Sequence, residues 1–314
     1  MKTIFLAQDT QEIQSQYPEV EVVHGRLEDS EILIRESARA DIIIHTDAPD
    51  YLRAAEAIAQ GAVEGHSPER PVYWVHMSSA AIFGVEDEQR GLYGVSSDRV
   101  WDDVDDIQQI VSSPEGVVHR GVDKVVLSTG TNCGDVVKTA IVSLGGVYGQ
   151  GRGPCSQHSQ GLSKGTGIHV FDATKLVVLL VEAVLVERED GLWGPEAYYL
   201  AGGQEFQWKF LAEYIRDLAR SEGLAREVET EALGYDDAVR REEYSATWGL
   251  NVCIRGTGAR QLLGWQPQEP WLMAALLEVV YEEYRQLPPR IQQGDIEQDI
   301  TRRGWKYRLR RWLK

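Results

Sequence analysis

The chain has 314 residues, 49 acidic against 32 basic, for a formal net charge of −17, and 43% of it is hydrophobic. That charge argues against nucleic acid as a partner, because phosphates repel such a surface. The length can hold one large α/β domain or two smaller lobes with ample core, and the apolar content is ordinary for a soluble globular protein. Cys133, Cys155 and Cys253 are scattered without metal-ligand spacing, which fits a reducing compartment better than a disulfide scaffold. The opening residues MKTIFLAQDT carry no leader-like apolar run. The longest apolar stretch, Leu176 to Val186, is broken by Glu182 and is too short to span a bilayer. A cytoplasmic protein without an integral membrane segment is expected.

In chain order, Thr3 to Ala7 reads as a strand, Gln11 to Tyr17 as a helix ended by Pro18, and Val20 to His24 as a second strand. Glu28 to Ala38 reads as a helix, Asp41 to His45 as a buried strand, and Ala54 to Ala62 as a helix with apolar spacing. Val72 to His76 is bulky and apolar, as a strand buried on both faces of a parallel sheet requires. Strands alternating with helices at this spacing mean βαβ units. Ser78 and Ser79 fall where that strand ends, the place where ligands sit in open α/β sheets. They serve there either chemistry or a turn.

Ser97 to Val111 reads as an acidic amphipathic helix, Val117 to Thr129 as another, and Thr139 to Val147 as a strand. His169 and Val170 lead into a helix over Asp172 to Val186. A strand is expected at Tyr198 to Ala201, and helices at Phe206 to Arg220, Tyr235 to Tyr244, Gly256 to Leu263 and Trp271 to Tyr284. The tail from Pro288 ends in RRGWKYRLRRWLK, with seven cationic residues from Arg302 to Lys314. It reads as a basic helix on an anionic membrane or as a surface helix paired with this acidic protein's own body. The second is preferred, since one helix of this length holds a membrane weakly.

Five short patterns fall in one order: His45-Thr46-Asp47-Ala48, Ser78-Ser79-Ala80-Ala81-Ile82-Phe83-Gly84, Val147-Tyr148-Gly149-Gln150-Gly151, His169-Val170-Phe171-Asp172 and Leu262-Leu263-Gly264-Trp265-Gln266-Pro267. On these, the sequence resembles the extended short-chain dehydrogenase/reductases, the NAD(P)-dependent sugar-nucleotide epimerase/dehydratase type, and most of all its fungal members, which include ones found in secondary-metabolite gene clusters. The resemblance implies a Rossmann-like doubly wound α/β parallel sheet with a smaller, mostly helical C-terminal lobe. Residues 1–150 would form the Rossmann-like domain, with 166–186 returning to it, 151–287 the substrate-side lobe and 288–314 a basic tail. It also implies NAD or NADP as cofactor, a small-molecule substrate and a homodimer paired through the helices at 97–111 and 117–129.

Residue by residue, the resemblance assigns Ser79 to polarising the substrate oxygen and Lys124 to the nicotinamide ribose. It places His45, Thr46, Ala48, Lys124 and Tyr148 around the cofactor, while His45 reads equally well as a satisfied core histidine. Gly149, Gly151 and Gly153 would let backbone approach a ligand, or form an ordinary turn. LLGWQP reads as packing.

The sequence also departs from the family. No G-x-x-G-x-x-G follows the first strand, so residues 3–9 look like the family's second strand. The stretch Thr129-Gly130-Thr131-Asn132-Cys133-Gly134 is a weak glycine pattern in a helical position. Arg120 stands at the family's catalytic Tyr position in the Tyr-x-x-x-Lys pattern, and a guanidinium cannot act as a general acid/base. Histidine is the residue type suited to proton transfer near neutrality, which makes His119 a possible substitute, but on a helix it would point about 100° away from that position. Tyr93 and Tyr148 are other donors without supporting spacing. Only fourteen residues separate Pro154 from His169, Arg26 replaces an acidic residue of the adenine pocket, and Leu144 replaces a common proline. Two readings follow: an NAD(P)-dependent epimerase, dehydratase or reductase, or a catalytically degenerate member acting as a binding partner or arising from a truncated gene model.

Overall fold

The computed structural model describes residues 4–7, 10–46, 50–114, 117, 119–149, 162–223, 230, 234–241 and 245–285. The first part runs β1 (Ile4–Ala7), α1 (Thr10–Gln16), β2 (Glu21–His24), α2 (Ser30–Ser37), β3 (Ile42–His45), α3 (Leu52–Gly65) and β4 (Val72–Ser79). This is the βα alternation expected of apolar β-branched runs separated by amphipathic segments. A 3-10 turn over Ala80–Gly84 leads into α4 (Val85–Arg90), β5 (Trp101–Asp102), α5 (Ile107–Ser112) and α6 (Arg120–Asn132). Next come β6 (Val137–Leu144), β7 (Gly146–Tyr148), β8 (Lys164–His169), α7 (Val170–Leu185), β9 (Tyr198–Ala201) and β10 (Gln204–Gln207). The last elements are α8 (Trp208–Ser221), α9 (Tyr235–Arg241), β11 (Ile254–Arg255), α10 (Thr257–Leu263) and α11 (Leu272–Arg285).

The principal sheet has the order β3-β4-β6-β9. Strands β3 and β4 are parallel, with Ile42 opposite Tyr73 and His45 opposite His76. Helices flank the parallel strands, so the fold is the Rossmann-like α/β class that the sequence implies. Strands β1 and β2 form a separate parallel pair, and β10-β8-β7 and β11-β5 are two further short sheets.

The chain divides into two compact units, one of Met1–Ser79, Ile107–Val142 and Leu180–Tyr199, the other of Ala80–Asp106, Ser143–Leu179 and Leu200–Lys314. In the first, Val72, Trp74 and Val75 of β4 and Val137, Ala140 and Val142 of β6 are fully buried. Helices α2 and α3 meet backbone to backbone. A Cβ on Gly61 would lie 2.2 Å from the Ile34 carbonyl oxygen, and one on Gly65 2.1 Å from that of Ala38. Gly130 of α6 allows the same closeness to β6, where a Cβ would meet Thr139 Oγ1 at 2.1 Å. The Thr129–Gly134 pattern thus lies at the end of a packed helix.

The second unit is held by buried polar side chains that bind backbone. Asn251 accepts from the amides of Ser97 and Lys164 and donates to the Val95 carbonyl and the Asp87 carboxylate. Asp103 accepts from the amides of Leu200 and Gly258. The Trp265 indole donates to the Asp172 carbonyl, and the Asp172 carboxylate accepts from the amides of Gln268 and Glu269. LLGWQP is therefore a packing segment, with Gly264 closing α10 in the left-handed region at φ 65°.

The helix expected over 97–111 is a correction. The chain there is extended at Trp101–Asp102, where β5 pairs with β11, and turns helical only at Ile107. The Asp102 carboxylate takes the amides of Val104 and Asp105, the local competition by which aspartate breaks helices. Strand β4 also continues through Ser78 and Ser79 instead of ending before them. Among the described residues no helix is long and apolar enough to cross a membrane. Cys155, the loop beyond Gly149 with Gly151 and Gly153, and the basic tail lie outside the described residues.

Candidate functional site

Adjacent parallel strands β3 and β4 bring His45 and Ser79 to their carboxyl ends. Alternation along β4 puts Trp74, His76 and Ser78 on one face and Met77 and Ser79 on the other. Ser79 is half-buried, Thr46 is exposed and Lys124 on α6 is half-buried. Ala48 lies outside the described residues. Lys124 makes no ion pair among the described residues. Among the described residues no group of three His, Cys, Asp or Glu side chains is placed to hold a metal ion.

His45 does not stand alone. Its Nδ1 lies 3.1 Å from Nδ1 of the fully buried His76. The two rings share one proton across that bond, since each nitrogen is either donor or acceptor. His76 Nε2 faces Asp123 Oδ1 at 3.5 Å, and the Tyr198 phenol donates to Asp123 Oδ2 at 2.7 Å. The carboxylate opposite Nε2 favours the proton there, which leaves His76 Nδ1 to accept from His45. Burial, then the Asp123 carboxylate, pushes the Tyr198 phenol well above its usual range; it is a fixed donor. Sequence reasoning assigned no role to His76, Asp123 or Tyr198. Their signal was a histidine inside an apolar strand and an aspartate on the buried stripe of a helix, each of which demands a partner.

Arg120 is fully buried. Its guanidinium donates to the carbonyls of Ile110 and Val111 at 2.7 Å each and of Ser113 at 3.3 Å, and it lies 3.5 Å from Asp123 Oδ2. These carbonyls terminate α5, so the arginine caps that helix and neutralises Asp123. His119 is not on the helix. It precedes α6 with φ 63° and contacts Asp50.

Tyr148, in the second unit, donates from its phenol to the Pro270 carbonyl at 2.9 Å. Burial, then the carboxylates of Asp172 and Glu269, raises its pKa. It borders a cleft of about 240 Å³ whose wall includes His169, Asp172, Gln204, Arg260 and Trp271. Gly149, at φ 113°, is required there, because a Cβ would meet His169 Nε2 at 2.6 Å. Tyr93 packs on Tyr235, and burial foremost pushes its phenol up to about 12, which disfavours it as a base.

No family model matches the chain. The fold is that of solved NAD-dependent sugar-nucleotide enzymes. A double mutant of the dTDP-glucose 4,6-dehydratase DesIV from Streptomyces venezuelae, with NAD bound, superposes with a TM-score of 0.62 at 17% identity, over 91% of this chain and 88% of that one. UDP-glucose 4-epimerase from Thermotoga maritima superposes with a TM-score of 0.61 at 12% identity, over 91% and 92%. Among curated proteins, Oxidase ucsJ from Acremonium sp. is 26% identical over 304 residues, covering 88% of this chain and 87% of the relative. The architecture agrees with the resemblance to the epimerase/dehydratase type that the motifs carry.

Proposed function

We propose that the protein is an NAD(P)-dependent oxidoreductase or epimerase acting on a small metabolite in secondary-metabolite biosynthesis. The observation that carries this reading is Lys124. It is a half-buried lysine on the helix packed against β4, without an ion pair among the described residues. A cation so placed suits the hydroxyls and charge of a bound nucleotide. Lys124 and Thr46 would hold the cofactor and Ser79 would orient the substrate oxygen. Bound nicotinamide would supply a hydride acceptor or donor. The name of the Acremonium relative favours redox chemistry, and the neighbours with NAD bound favour the cofactor.

Titration with NADH and NADPH, read through quenching of the nine tryptophans, tests the reading. Saturable binding in the micromolar range is expected with one of the two. Lys124→Ala should weaken it at least tenfold, and Ser79→Ala should leave it unchanged. Absence of quenching at millimolar cofactor overturns the proposal.

A further inference from the structure

We infer that His119, oriented by Asp50, is the proton acceptor of this site, an assignment that rests on the NAD(P)-dependent reading above. With Arg120 at the tyrosine position and bound to the carbonyls of α5, no group there can take a proton. On a helix His119 would point away from that position, but α6 begins at Arg120 and His119 sits before it in the left-handed region at φ 63°. That conformation is unfavourable for a residue with a Cβ and persists where surrounding contacts hold it.

Asp50 is what holds it. Its Oδ1 accepts the His119 amide at 2.8 Å and also lies 2.9 Å from Nδ1 of the same ring, off the line of a straight hydrogen bond. Capping the amide needs no imidazole. The second contact places a carboxylate beside Nδ1, which favours the proton on that nitrogen and leaves the lone pair on Nε2. The His119 side chain keeps 16% of its surface exposed, enough for a proton to be exchanged. Asp50 lies in the connection from β3 to α3, and Gly121 in the first turn of α6 lies against Leu52 at the start of α3. That connection follows the carboxyl end of β3, so the pair stands on the edge where ligands bind in parallel sheets. Lys124 follows on the same helix.

In the oxidation direction a substrate hydroxyl would give its proton to His119 Nε2 as its C–O bond becomes a carbonyl, and bound nicotinamide would supply the acceptor for the hydrogen and electron pair leaving that carbon. The imidazolium so formed would be paired with Asp50 and return its proton to solvent or, in the reverse direction, to the carbonyl oxygen.

The test uses the full chain labelled with 15N-histidine. The His119 signals are those lost in His119→Asn, and Asp50→Asn identifies them independently by their displacement. Long-range proton–nitrogen correlation should show the Nδ1–H tautomer predominating in the native protein. In Asp50→Asn, whose carboxamide oxygen still accepts the amide, the ratio of Nδ1–H to Nε2–H should fall several-fold. NADH, at concentrations that saturate tryptophan quenching, should displace the His119 signals. A native Nε2–H tautomer, a tautomer indifferent to Asp50→Asn, or His119 signals unmoved while quenching reports bound NADH would each overturn the assignment and leave the cofactor reading intact. Absence of quenching overturns the cofactor reading and this one with it, so the two failures carry different signatures.

Discussion

Both units bury charged side chains, but they satisfy them differently. In the first, titratable groups meet each other: His45, His76, Asp123, Tyr198 and Arg120 form one connected set in the core. In the second, Asp103, Asp172 and Asn251 each gather backbone amides from segments distant in sequence. A carboxylate that binds amides fixes the course of loops. A carboxylate that binds rings and a guanidinium fixes where protons reside, and losing one member strands the others in a medium that cannot solvate them.

The largest effect that can break this contrast is expected at Asp123. Asp123→Ala leaves the buried Arg120 unpaired and the Tyr198 phenol without its acceptor, and should cost about 3–5 kcal/mol in urea unfolding. Combining it with Arg120→Met should recover part of that loss, because the remaining core is then uncharged. A single variant within 1 kcal/mol of the native protein would show that the network carries no such weight.

Asp103 gives the next effect, and it depends on pH. Burial pushes its carboxyl up to about 6, against the opposing amides of Gly258 and Leu200. The folded protein therefore binds a proton that the unfolded chain, with its ordinary value of 3.8, has already released. Its contribution is complete below about pH 4 and declines by roughly 3 kcal/mol as pH rises through 6. Between pH 4 and 7 the native protein should lose roughly 3 kcal/mol of stability relative to Asp103→Asn, whose side chain does not titrate. Parallel curves would remove Asp103 as the source.

The smallest effect is Tyr148→Phe, which deletes one hydrogen bond to the Pro270 carbonyl and should cost about 0.5–1.5 kcal/mol. A larger loss would mean that this tyrosine organises more of the cleft wall than its single bond accounts for.

Most strands of the principal sheet were legible in the sequence, because Asp41 to His45 and Val72 to His76 have only one buried reading as apolar runs. The region around Asp102 was misread, since acidic and apolar residues at helical spacing look alike whether the aspartates face water or bind amides. The order of the five motifs carried the fold. The site was only partly legible. His45 and His76 are 31 residues apart, and their shared proton follows from strand register rather than any local pattern. His119 was set aside by helical geometry that stops one residue short of it. Its backbone conformation comes from Asp50, 69 residues away, and no pattern local to His119 encodes such a contact.

Strand β3 ends the principal sheet, and among the described residues nothing pairs with its outer side. That side belongs to Ile42-Ile43-Ile44, with Ile44 46% exposed, and an edge left open there would offer a short, sticky template to a second molecule. Colloidal behaviour then rests on long-range repulsion from the −17 charge, a barrier that added salt lowers without altering the fold. Concentrated stocks should accordingly keep better in dilute buffer than in saline, the reverse of ordinary handling.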